Sequence, residues 1–191
     1  MTRSTTTTGP LRSKVRSSLA KGAALALSVG MAPLIHAEVR SLTIGGFEFS
    51  NVITVPGSPA AVFDLFTGDV SPWWDHHFVE KPKKLYIDPK PGGGFYEIFD
   101  DAGNGALHAT VIYADRGKTL RMVGPLGLSG HPLDVVCSLD FGPADGGGTR
   151  VTLTVRAAGE VQEGWGAVVE EVWKHFLVER FKPYAEAKLK G

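Results

Sequence analysis

The chain changes its hydrophobic rhythm twice. From Phe47 to Val55 apolar and polar residues alternate, and Pro56-Gly57-Ser58-Pro59 ends the run. Ser58 suits a helix N-cap with Pro59 at the first helical position. Ala60, Val62, Phe63, Leu65 and Phe66 then give that helix an apolar side. Gly68 stops it, and Asp69 or Ser71 is read as opening a second short helix through Pro72-Trp73-Trp74. From Lys83 the pattern alternates again, with strands expected near 83–88, 94–100, 106–114, 118–124, 133–142 and 148–157. The Gly- and Asp-rich breaks between them favour consecutive hairpins in an antiparallel meander. Between Gln162 and Lys190 the period becomes helical. Trp165, Val168, Val169, Val172, Phe176 and Val178 or Arg180 share a stripe, with Glu170, Glu171, Lys174 and Glu179 opposite. Trp173 falls beside the stripe, a position suited to packing under a loop. Pro183 is expected to kink or interrupt the last turns.

The predicted order is strand, two short helices, six strands and a long helix. One helix covers a face of seven strands only if the sheet curls around it. A curled sheet gripping a helix leaves space near the strand ends, and that space is the expected pocket.

Several short motifs occur in this order: Pro59-Ala60-Ala61-Val62-Phe63, Trp73-Trp74, Pro91-Gly92-Gly93-Gly94-Phe95, Lys118-Thr119-Leu120-Arg121-Met122, the run from Gly147 to Thr154, and Gly164-Trp165. Together they resemble the helix-grip (SRPBCC, START-like) superfamily, which includes START domains, pollen-allergen (Bet v 1-like) proteins and polyketide cyclases. Within it the chain looks most like the activator-of-Hsp90-ATPase-homologue-like branch, over residues 47–187. The resemblance implies an α+β fold: a curved seven-stranded antiparallel sheet around a long C-terminal helix, with two short helices after the first strand. It also implies a hydrophobic cavity for a lipid, sterol, polyketide or aromatic ligand, and it is nearly silent on chemistry.

Composition adds a setting. At 191 residues the chain suits one domain. Residues 1–37 hold five basic residues and no acidic ones, followed by a 13-residue apolar run from Ala23 to Ile35 and then His36-Ala37. A basic start, a short apolar middle and a small residue at the end read as a cleaved signal peptide. The run falls short of the roughly 20 residues a spanning helix needs. A periplasmic or secreted protein is expected, with a lead-in at 38–46 and the domain at 47–191; if Met31 is the true start, the protein is cytoplasmic. After cleavage, 15 basic and 20 acidic residues remain, a net charge of −5. That argues against nucleic acid or an anionic membrane as partner. Cys137 is the only cysteine, so no internal disulfide forms.

Alternation assigns the expected pocket wall. Phe95, Glu97 and Phe99 share a face of one strand, and Val111 with Tyr113, Met122, and Cys137 with Leu139 are read as facing inward on the next strands. From the terminal helix come Trp165, Val169 and Phe176, and of Trp73 and Trp74 one is expected to plug the barrel end while the other lines the pocket. An inward Glu97 needs a partner, such as Arg121 or a hydroxyl. Glu97 and His108 are the only candidates for acid–base work. Asp75-His76-His77 invites a metal reading, but adjacent histidines seldom both reach one ion and no third His lies at helical spacing, so neither metal nor cofactor is expected. Gly92-Gly93-Gly94 precedes a strand and lacks the Lys-Ser/Thr of a phosphate loop.

The reading that follows is a non-catalytic exported carrier of a small hydrophobic ligand, with Glu97 or Tyr113 setting its orientation. The rival is a cyclase-, dehydratase- or hydrolase-like enzyme using Glu97 or His108, and a third is a protein-binding accessory domain. An inward acid–base pair beside a substrate-sized void favours the enzyme, and a uniformly apolar void favours the carrier. A filled cavity with a large exposed apolar patch favours the accessory domain.

Overall fold

The structure, a computed structural model, describes residues 41–190; the expected signal peptide lies outside the described residues. Eight strands form one antiparallel sheet in the order β1-β8-β7-β6-β5-β4-β3-β2. The strands are β1 Ile44–Val55, β2 Gly68–Asp69, β3 Lys84–Ile87, β4 Gly94–Ile98, β5 Gly105–Asp115, β6 Thr119–Val123, β7 Leu133–Pro143 and β8 Thr149–Glu160. The first strand therefore begins at Ile44, inside the expected lead-in. The long pair β1 and β8 joins the first and last strands in register from Ile44↔Glu160 to Val55↔Thr149.

Helix α1, Pro59–Phe66, forms as its sequence dictates: the Ser58 hydroxyl accepts from the Ala61 N–H at 3.3 Å, and Val62, Phe63 and Phe66 are buried. The expected second short helix does not form. Gly68, at φ +69°, lets the chain turn back so that Gly68 and Asp69 pair with Ile87 and Tyr86 as an eighth strand. The Asp69 carboxylate then captures the Ser71 N–H at 3.1 Å, and a single turn on the Val70 carbonyl carries Trp73 and Trp74 inward.

The terminal helix runs from Trp165 to Leu189 with a register change in its middle. It is α-helical over α2, Trp165–Lys174, widens to a π-helix over His175–Phe181, and resumes as α3, Lys182–Leu189. The Lys182 N–H reaches back five residues to the Leu177 carbonyl. Pro183 then occupies the second position of α3, where a missing N–H is tolerated as it is at any helix start. The proline thus changes the helix's register. Trp173, Phe176, Leu177, Phe181 and Ala185 point inward, while Val168, Val178 and Arg180 of the expected stripe are exposed; the wide turn sets the facing of the residues from His175 onward.

Aromatic side chains fill the core between α1, the terminal helix and the sheet. The Phe66 ring centroid lies 4.9 Å from that of Trp73, 4.9 Å from that of Phe181 and 6.1 Å from that of Phe141. Phe66→Ala should therefore cost about 3–5 kcal/mol of stability through the cavity it leaves, read from the urea midpoint at unchanged m-value. A loss under about 1 kcal/mol would show that this cluster does not anchor α1 to the helix.

Candidate functional site

Toward one end of the grip the aromatic filling stops and a cavity of about 330 Å³ remains. Trp74, His76, His77 and Phe78 form one wall, and Val168, Val169, Val172, Trp173 and Phe176 of the helix form another. His108 of β5 and Val135 of β7 make the floor, and Leu126-Gly127-Leu128 closes a side. Leu126 holds a left-handed φ of +50°. That conformation costs a non-glycine residue about 1–2 kcal/mol, and here it accompanies an apolar residue at the cavity wall. Phe78 and Val168, both exposed, mark the rim.

Two irregularities in β5 decide which of its residues reach the interior. Opposite β4, Phe95 pairs with Ala109 but Tyr96 pairs with Leu107, so His108 is an extra residue in a bulge. The bulge makes His108 and Ala109 successive buried residues. A second bulge follows: Val111 pairs with Met122 and Tyr113 with Arg121, leaving Ile112 over. The alternation expected from Val111 to Tyr113 is broken there, and Tyr113 faces solvent with the Arg121 guanidinium 5.8 Å from its ring. Gly124 at the end of β6 lies tight against the first bulge, since a Cβ on it would sit 2.7 Å from the His108 carbonyl oxygen.

The inward His108 meets Glu97, which is fully buried. His108 Nε2 lies 3.0 Å from Glu97 Oε2. The Phe78 N–H donates to Glu97 Oε1 at 2.9 Å and Oε2 at 3.1 Å, and the Val79 N–H donates to Oε1 at 3.2 Å. Arg121, the partner expected for Glu97, instead donates to the Ser138 hydroxyl at 2.9 Å. Glu97 thus ties the cavity wall at Phe78 and Val79 to the sheet and orients the imidazole. The carboxylate accepts, so Nε2 carries the proton and Nδ1 is the ring's acceptor. Phe78 stacks on one side of the ring at 5.1 Å and Phe95 lies 4.8 Å away at a tilt. Burial holds the His108 pKa below its ordinary 6.5, against the opposing pull of Glu97. The imidazole is therefore neutral near pH 7, able to accept a hydrogen bond or a proton.

Of the expected pocket residues, Trp74, His108, Val169 and Phe176 line the cavity. Trp73 is the plug of the pair, buried against Phe66 and Phe181, whereas Trp74 stacks on Phe176 at 3.7 Å. Phe95, Val111, Met122, Cys137 and Leu139 face inward but lie in the filled core. Burial pushes the Cys137 thiol up to about 12, which removes it as a nucleophile. Phe99 stands just beyond β4, half-buried, and Trp165 packs on His131, 4.8 Å away, rather than on the cavity.

The wall contributed by His76, His77, Phe78, Leu126, Leu128, Val172 and Trp173 escaped the expected set. Trp173 lines the cavity and packs on Trp74 at 5.7 Å, a placement its spacing of four from Val169 allowed. Leu126 and Leu128 offered a weaker signal, two large apolar residues in a loop otherwise built of Gly, Ser, Pro and a single His.

No family model matches the sequence, and none of the curated proteins does. Solved structures do match in fold. An uncharacterized protein from Rhizobium leguminosarum aligns at a TM-score of 0.59 and 14% identity, over 78% of this chain and 99% of its own. A protein from Rhizobium loti aligns at 0.53 and 20% identity, covering 71% and 94%. The Aha1 dimer from Colwellia psychrerythraea aligns at 0.51 and 18% identity, covering 73% and 96%. At such identities the likeness shows the fold alone, and that fold is the helix grip: a curved antiparallel sheet around a long C-terminal helix.

Two outcomes follow from the Glu97 arrangement. Glu97→Gln turns an amide N–H toward groups that are themselves donors and should cost about 1–3 kcal/mol, measured by urea unfolding. For His108 the unfolded chain takes up the proton first as pH falls, because the folded imidazole lies below the ordinary 6.5. The stability of neutral His108 is complete above that value and declines below it, by at most about 1.4 kcal/mol per pH unit. Denaturant unfolding from neutral to mildly acid pH should show wild type losing stability more steeply than His108→Asn. Parallel curves would refute the burial-driven shift.

Proposed function

We propose that the protein binds a compact, mainly apolar molecule carrying one hydrogen-bonding group, and acts as its carrier. The observation that supports this most is the cavity itself: about 330 Å³ of open space, with mainly apolar walls, His76 and His77 on one side and the imidazole of His108 at its floor. Its size sits at the low end of the roughly 300–1,000 Å³ usual for small-molecule sites. That suits an aromatic or short polyketide-like molecule better than a long-chain lipid. Burial of about 200 Å² of apolar ligand surface would contribute roughly 5 kcal/mol, and His108 Nδ1 would accept from the ligand's hydroxyl or N–H. His108 thereby takes the orienting role expected of Glu97 or Tyr113, with Glu97 behind it. An open cavity favours this reading over a protein-binding accessory domain, and residues 1–37 favour an exported setting.

The Glu97–His108 pair supports a second reading, an enzyme of the cyclase, dehydratase or hydrolase kind. A carboxylate on one ring nitrogen fixes the tautomer and stabilises the imidazolium that forms when the other nitrogen takes a proton. His108 would be the general base, and Glu97 would position it.

Purified protein should bind anilinonaphthalene sulfonate with a rise in fluorescence, and native mass spectrometry should find a co-purifying apolar molecule. Val169→Trp fills the cavity from the helix side and should weaken probe binding at least about tenfold, equivalent to 1.4 kcal/mol, with an unchanged circular dichroism spectrum. Probe binding untouched by Val169→Trp would overturn the cavity as its site. A carrier returns its ligand unaltered after long incubation, whereas an enzyme converts it and loses that conversion in His108→Asn.

A further inference from the structure

We propose that Asp75, His76 and His175 form a binding site for a divalent transition metal of the zinc class at the mouth of the cavity. The fold brings His175, the first residue of the π-helical segment, against the turn that carries Asp75 and His76. One ligand atom from each residue, a carboxylate oxygen and two imidazole nitrogens, falls within 4.8 Å of the others. Asp75 Oδ1 lies 3.1 Å from His76 Nδ1 and 3.0 Å from His175 Nε2. Ligand atoms around a tetrahedral zinc, with bonds of about 2.0–2.1 Å, stand about 3.3 Å apart. Both carboxylate–imidazole distances already match that spacing to within tenths of an ångström, and closing the two imidazoles around one ion is left to rotation of the exposed His76 side chain. Two imidazoles and a carboxylate are also the donor types such ions take.

The three residues lie at the surface, and their surroundings suit a metal in two respects. His175 Nδ1, its other ring nitrogen, lies 2.7 Å from Glu179 Oε2, the carboxylate contact that orients a metal-binding imidazole and raises its basicity. Asp75 Oδ2 lies 3.1 Å from Arg180 Nε and 3.0 Å from His175 Nε2, while Oδ1 lies between both imidazoles. Arg180 is a positive charge beside the site, and the carboxylates of Asp75 and Glu179 more than offset it. Both halves of the site are also fixed in advance. Trp74, next to Asp75, stacks on Phe176, next to His175, at 3.7 Å, and the His76 ring packs edge-on to Phe176 at 4.8 Å. Three protein ligands leave a fourth position open, as in zinc sites that hold water or substrate. His76 itself lines the cavity, so that position lies beside whatever the cavity holds.

The test uses the full protein without an affinity tag, stripped with a chelator and titrated with zinc alone, so it does not depend on any cavity ligand. Calorimetry should show one zinc per chain, and cobalt should give the visible absorption of a four-coordinate site. His175→Ala and His76→Ala should each weaken zinc binding by at least about tenfold, and Glu179→Gln by roughly 10–100-fold through the orientation of His175. Circular dichroism and cooperative urea unfolding of the same variants check that they remain folded. Zinc binding absent from wild type, or unchanged in folded His175→Ala, would overturn the proposal.

Discussion

The buried carboxylate of Glu97 is the constraint on which the rest of the site depends. It lies on β4 with no exposure to water and faces donors alone: the N–H groups of Phe78 and Val79 and the Nε2–H of His108. A carboxylate in such a position is costly unless its lone pairs are filled. Here the filling also builds the cavity, because the wall from Trp74 to Phe78 is irregular chain whose backbone needs partners. Glu97 supplies them and in the same place fixes the imidazole at the floor of the mainly apolar cavity. Wall, floor and polarity thus share one anchor.

The interior is divided by where aromatic side chains end. Around Phe66, Trp73, Phe181 and Phe141 the space between helix and sheet is filled, and residues from four different elements interlock. Beyond Trp74 and Phe176, whose rings stack at 3.7 Å, no side chain of comparable size fills the gap and the cavity opens. The stack is the border between a core that contributes stability and a void that forgoes it. It also joins the turn after Trp74 to the middle of the terminal helix, which is why cavity, rim histidines and helix register cannot be varied independently. The π-helical turn belongs to the same arrangement. It accommodates Pro183 and turns Phe176, Leu177 and Phe181 inward together, and it places His175 at the rim.

Much of the fold was legible because periodicity and turn chemistry act locally. The capped helix at Pro59, the alternating strands from Lys83 and the amphipathic close of the chain each follow from residues near one another, and the ordered motifs carried the resemblance to the helix-grip superfamily. The second short helix misread a local competition, in which the Asp69 side chain took the Ser71 N–H and Gly68 turned the chain into a strand. On the terminal helix a single α-helical stripe fails in two ways: within α2 the buried face runs through Val169 and Trp173 and leaves Val168 exposed, and beyond it the wide turn faces Leu177 inward and Val178 outward.

For the site, sequence alone singled out Glu97 and His108 as candidates for acid–base work and gave one tryptophan of the pair a place on the pocket wall. It determined the single cysteine and the basic and apolar first 37 residues, and it gave seven of the eight strands that curl around one helix. Only the tertiary structure decided that Glu97 meets His108, because a bulge is a mismatch between two strands and has no period within either. Only it decided that Tyr113 faces solvent, for the same reason, and that His175 joins Asp75 and His76 from 100 residues away. Alternation tells which face a side chain shares with its neighbours in the same strand. Which residues then meet depends on register between strands and on the turn of a distant helix.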